Sequence, residues 1–124
     1  MSRMLDHEMT VKAPDAVIAI NTSLSSVIRK GYYRRMVLFM PAAWTAADIT
    51  FVVSNSADGT FNKLTYGSDG EEVTIKAVAS VVIILDGKVK EALEACPYIK
   101  IRSGTALLPV NQAAERSIGI VLMR

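Results

Sequence analysis

Apolar and polar residues alternate with a period of two along most of this chain, the pattern of strands that bury one face. Met9, Val11 and Ala13 alternate with Thr10 and Lys12, which predicts a first strand stopped by Pro14. Residues 16–20 form a second apolar piece, closed by the turn chemistry of Asn21, Thr22 and Ser23. Residues 24–29 predict another strand, broken at Gly31. The unbroken run Met36-Val37-Leu38-Phe39-Met40 places a strand over 33–40 that is buried on both faces and ended by Pro41. Residues 42–48 read as a single helical turn or an irregular crossing.

The second half repeats the theme. Ile49, Phe51 and Val53 point one way, and Thr50, Val52 and Ser54 the other. Asp58-Gly59 and Asp69-Gly70 supply tight turns, so 49–54, 61–66 and 72–76 read as a three-stranded meander. Residues 81–85 predict a further strand. Asp86 is placed to cap a short helix on which Val89, Leu93 and Cys96 share a face, and Pro97 ends it. Ile99 and Ile101 then face inward with Lys100 and Arg102 outward; Ile118, Ile120 and Leu122 form the inward row of the last strand. The expected fold is all-β: an antiparallel sandwich or barrel of about eight strands with one short helix.

Composition narrows this to one domain. A chain of 124 residues holds a single core, here read as a polar arm over 1–8 and one β-sandwich domain over 9–124. Val, Ile and Thr make up 32 of the 124 residues, a bias toward side chains that fit a pleated sheet. The hydrophobic share of 51% is high for a small domain, so some of it is expected to reach the surface and be covered by subunit contacts. A net charge of +2 is too mild to imply specific nucleic-acid binding. The longest apolar run, 77–85, is too short for a membrane helix, and the first residues lack a signal peptide's apolar core. The single Cys96 excludes an intrachain disulfide and fits folding in a reducing cytoplasm.

Candidate chemistry is sparse. His7 is the one histidine, which excludes multi-histidine metal sites and leaves histidine-based catalysis nothing but this residue in the arm. Gly67-Ser68-Asp69-Gly70 lacks the lysine and the strand-to-helix setting of a phosphate loop. Asp69, Glu71 and Glu72, with Asp58, offer oxygens to a cation but lack calcium-loop spacing, and turns favour these residues in any case. No catalytic residue, metal ligand or cofactor is therefore assigned. The dense basic and aromatic cluster is Arg29 to Arg35, containing Lys30, Tyr32, Tyr33 and Arg34. Tyr and Arg anchor protein interfaces. Basic-aromatic surfaces also suit nucleic acid, which the modest net charge disfavours, and the plain alternative is a solvated loop and strand end beside a buried strand. Trp44 is either a core plug that clasps its loop or an interface anchor.

Four segments carry a resemblance: Pro-Ala-Ala-Trp-Thr-Ala-Ala-Asp-Ile-Thr-Phe at 41–51, Ser-Ala-Asp-Gly-Thr-Phe at 56–61, Tyr-Ile-Lys-Ile-Arg-Ser-Gly-Thr-Ala at 98–106, and Pro-Val-Asn-Gln-Ala-Ala-Glu-Arg at 109–116. Over residues 36–122 the chain resembles a family of small virion proteins of tailed bacteriophages. It departs from that family at Leu64-Thr65-Tyr66-Gly67, where members carry Leu-Tyr-Asp. The resemblance implies a β jelly roll and a structural, non-enzymatic role as a capsid cement or decoration protein. Its partners would be the major capsid protein and further copies of itself, as dimers or trimers at lattice symmetry axes on the capsid surface. The contact residues expected on this reading are Met1, Ser2, Arg3, Met4 and Leu5 of the arm, with Tyr32, Tyr33, Arg34, Arg35 and Trp44. The other reading is a tail or neck module that binds a neighbouring tail protein or host carbohydrate, the sugar set beside Trp44 and Tyr66 with Asn62 or Gln112.

Overall fold

The structure is a computed structural model that describes residues 10–124; the expected arm and its contact residues Met1 to Leu5 lie outside the described residues. Nine strands and one helix follow one another: β1 (Thr10–Ile18), β2 (Ile28–Arg29), β3 (Arg35–Phe39), β4 (Ile49–Ser54), β5 (Asn62–Lys63), β6 (Thr74–Ile75), β7 (Val82–Ile84), α1 (Gly87–Leu93), β8 (Tyr98–Ser103) and β9 (Arg116–Met123). They form two antiparallel sheets, ordered β1-β9-β3-β7 and β2-β8-β4-β5, with β6 also paired to β4. The chain crosses between sheets at β1–β2, β2–β3 and β3–β4, and again on its return through β7, β8 and β9. The later strands slot between the earlier ones: β9 lies between β1 and β3, and β8 between β2 and β4. The expected all-β sandwich with one short helix is the observed fold.

Alternation fills the space between the sheets. Ala16 and Ile18 of β1, Met36 and Leu38 of β3, and Ile118, Ile120 and Leu122 of β9 face Ile49 and Phe51 of β4 and Ile99 and Ile101 of β8; all are buried. Side chains of this size contribute about 1.5–3 kcal/mol each when fully buried. Leu93 of α1 joins this core, with Val89 and Cys96 half-buried beside it, as their shared face predicts.

Local physics alters five of the expected elements. Pro14 does not stop the first strand: β1 runs through it, with a register shift between Ala13 and Ala16. β1 is an edge strand, where a missing N–H and a bulge cost little. The segment 24–29 is mostly not a strand, since only Ile28 and Arg29 form a ladder, while Leu24 and Ser25 make single bridges. β3 is buried on one face and not on both, because among the described residues no layer covers the outside of its sheet; Phe39 is 45% exposed. Asp86 holds the N-cap position of α1 in an extended conformation, but its side chain makes no capping bond. The predicted meander is bent. β5 pairs with Val52 and Val53, β6 pairs with Ile49 and Thr50, and a hairpin with a Thr65–Glu72 bridge joins them.

Candidate interaction surface

Strand directions sort the connections into two groups. Ile18, Phe39, Val82 and Arg116 meet at one end of the first sheet, and Ile49 and Ser103 pair at the matching end of the second. The connections 19–27, 40–48, 76–81 and 104–115 therefore gather at this end. Those at 30–34 and 55–61, with the 85–97 segment that contains α1, leave the opposite strand ends.

Three connections of the first group are tied together at one buried residue. Gln112 has no exposed surface. Its Oε1 accepts from the Thr45 N–H at 2.8 Å and from Arg116 Nε at 3.1 Å, while its Nε2 donates to the Thr45 carbonyl at 3.1 Å and to Ser103 Oγ at 2.6 Å. Its backbone exchanges bonds with the 19–27 connection, accepting from the Asn21 N–H and donating to the Thr22 carbonyl, both at 2.9 Å. A neutral amide suits this place because it supplies donors and acceptors together without the desolvation cost of a charge.

A second brace fixes the turn 104–109. Arg102 and Glu72 form an ion pair whose side chains are 11% and 16% exposed. The Ala106 N–H donates to Glu72 Oε1 at 3.1 Å, and Thr50 Oγ1 donates to the Gly104 carbonyl at 2.7 Å. Gly104 has φ +87°, and a Cβ there would lie 2.5 Å from the Leu108 carbonyl oxygen, so this turn requires glycine. Glu72, expected to be a solvated turn residue, is half-buried and structural. Among the described residues no group of three or more His, Cys, Asp or Glu side chains is positioned to hold a metal ion.

This braced end projects apolar side chains. Leu107 is 86% exposed and Leu108 72%, and Ile20, Leu24, Val78 and Val81 are exposed on the other connections at this end. With Phe39 and Val82 at the strand termini, eight of the eleven exposed large apolar residues among those described lie at this end. A clustering of this kind on a rigid frame marks a contact surface. The sequence offered one signal for it: two leucines between Gly104 and Pro109, in a turn where polar residues are the norm.

The opposite end holds the basic and aromatic cluster, whose members separate. Tyr32 is almost fully exposed, and Arg29, Arg34 and Arg35 are exposed. Tyr33 is half-buried against the core. Lys30 is buried, donating from Nζ to the carbonyls of Tyr33 at 2.6 Å and Glu94 at 3.1 Å. Burial lowers its pKa against the opposing pull of Cys96 and Glu94, and burial likewise raises that of Cys96. Tyr32 and Arg34 line a cleft of about 640 Å³ with Glu94, Pro97 and Tyr98. Trp44 lies at the apolar end as a clasp: it packs on the core and donates its indole N–H to the Ala47 carbonyl at 3.0 Å.

The residues of the carbohydrate reading do not converge. Gln112 is buried with its amide fully engaged, and Asn62 pairs with Val53 at the far end of β4 from Trp44's connection. Tyr66 carries Lys88 over its ring at 4.2 Å.

No protein-family model matches the chain, and no curated protein matches it in sequence. Among solved structures, the SPBc2 prophage-derived protein YomS is similar, with a TM-score of 0.54 and 12% identity over 93% of this chain and 91% of that one. At this identity the likeness is one of fold, and it extends over nearly the whole of both chains.

Proposed function

We propose that this chain is a structural virion protein of a tailed phage, a capsid cement or decoration protein that binds and stabilises the lattice of the major capsid protein. The observation that carries the reading is the braced apolar end, where Leu107, Leu108, Ile20 and Leu24 stand exposed on connections locked by Gln112 and by the Arg102–Glu72 pair. Such a surface binds without an ordering cost, because its frame is already fixed. The shared fold of a prophage-derived protein supports a phage setting. A protein that binds only the assembled shell stabilises it by mass action, and many copies multiply modest contacts. No cofactor, catalytic residue or nucleic-acid site has a part in this role.

The test is stoichiometry. Purified particles of the phage that carries this chain, measured by quantitative mass spectrometry, should contain it in proportion to the major capsid protein. A share of only a few copies per particle would place it in the tail or neck instead, and absence from particles would end the virion reading.

A further inference from the structure

The edges of the two sheets differ in how they are protected. β1 carries Lys12, Pro14 and a bulge, β2 ends in Arg29, and β5 and β6 present Asn62, Lys63 and Thr74. These are the devices by which sheets avoid adding a further strand. β7 is Val82-Ile83-Ile84, with no proline, charge or bulge.

Its backbone is free as well. The Leu85 N–H donates to the Met36 carbonyl at 3.1 Å, and the Met40 N–H to the Val81 carbonyl at 2.9 Å. Bonded pairs alternate in an antiparallel ladder, so Leu38 and Ile83 form the bonded pair between these two. The N–H and C=O groups of Val82 and Ile84 therefore point away from β3, and among the described residues no partner receives them. Their side chains are 55% and 67% exposed on the outer face of the sheet. Phe39 beside Val82 and Val37 beside Ile84 continue that face inward.

We propose that β7 is the seam of a two-fold dimer, in which a second copy of this chain pairs its own β7 antiparallel about Ile83 and joins the two sheets into one. A copy is the fitting occupant because the edge is self-complementary. Rotation about Ile83 sets Val82 opposite Ile84 of the second copy and Val81 opposite its Leu85, so apolar residues meet throughout. Asp86 then falls opposite Ser80 of the second copy, and no like charges face each other from 80 to 86. An exposed apolar patch on a monomer is on the order of 300–600 Å², short of the ~800 Å² per partner of a standard interface, so the dimer is of the weak, concentration-dependent kind. The dimer is independent of the capsid reading, since it is a property of the free chain in solution.

The test pairs two double variants of the full chain, followed by sedimentation equilibrium. V82K/I84K sets lysine against lysine across the seam on both sides and should give monomer. V82K/I84E sets lysine against glutamate on both sides and should restore the dimer. Amide exchange on the wild type should show Val82 and Ile84 protected at high concentration and open on dilution, which decides the matter even where V82K/I84K fails to fold. A wild type that stays monomeric at several hundred micromolar, an undiminished V82K/I84K dimer, or a V82K/I84E that stays monomeric would overturn the proposal. So would protection of those amides in the diluted monomer, which would mean that residues 1–9 or another part of the chain covers the edge. Protection gained only on adding a different virion protein would overturn it too.

Discussion

Gln112 and Lys30 do the same mechanical work at opposite ends of the sandwich, with different chemistry. Each is buried, and each ties backbone groups from connections far apart in sequence. Gln112 is neutral and meets both the N–H and the carbonyl of Thr45, with Arg116 as its one charged partner, so it adds no charge of its own to the loops it braces. Lys30 meets only carbonyls and brings a charge that must be desolvated, at an end crowded with Arg29, Arg34, Arg35 and Glu94. The apolar end is braced by a neutral amide and by an ion pair whose charges cancel, whereas Lys30 puts an unbalanced cation among exposed arginines.

Breaking each brace measures its worth. Gln112→Ala should show the largest loss, about 3–5 kcal/mol in urea denaturation, because it strands the Thr45 N–H and carbonyl, Ser103 Oγ and Arg116 Nε together. Lys30→Ala should cost about 2–4 kcal/mol, from the lost buried stem and the two carbonyls left without a donor. Gly104→Ala should cost about 1–3 kcal/mol, the penalty of a left-handed residue whose Cβ meets backbone, and the 104–109 turn should lose amide protection.

The braces also differ in their response to pH. Lys30 holds its proton less tightly folded than unfolded, so between its lowered pKa and the ordinary 10.5 the unfolded chain binds more protons. The Lys30 contribution to stability should therefore rise with pH as that window is entered, against an opposite contribution from Cys96, whose thiol is pushed up by burial. Lys30→Met should lack this increment relative to wild type, and Gln112→Ala should retain it. Equal pH slopes for wild type and Lys30→Met would remove the charged brace from the account.

The smallest effect on stability belongs to the surface itself. Leu107→Asp/Leu108→Asp and Arg34→Ala/Arg35→Ala should each stay within about 0.5 kcal/mol per substitution of wild type, since all four side chains project into solvent.

Much of the sandwich was legible in the sequence, because period-two alternation reports a buried face directly. Ile99 and Ile101, and the row Ile118, Ile120 and Leu122, sit where the pattern puts them. Pro14 misled because a proline's effect depends on whether its strand lies at an edge, which is a property of the whole sheet. The braces were not legible. Gln112 and Lys30 are residue types usually found outside, and their burial comes from contacts with Thr45 and Glu94, 67 and 64 residues away in sequence. The two-sided reading of 33–40 failed for a related reason: an apolar run gives hydrophobicity but not whether a second layer exists to cover it. Phe39 and Ile84 are exposed for want of that layer.

The most direct test of the central claim, that the apolar end is the surface by which the chain attaches to its particle, is retention on purified particles of two folded variants. Leu107→Asp/Leu108→Asp should be lost from particles by tenfold or more, equivalent to about 1.4 kcal/mol or more of binding energy. Arg34→Ala/Arg35→Ala should be retained at the wild-type level. Full retention of the leucine variant with loss of the arginine variant would contradict the account and move the attachment surface to the charged end.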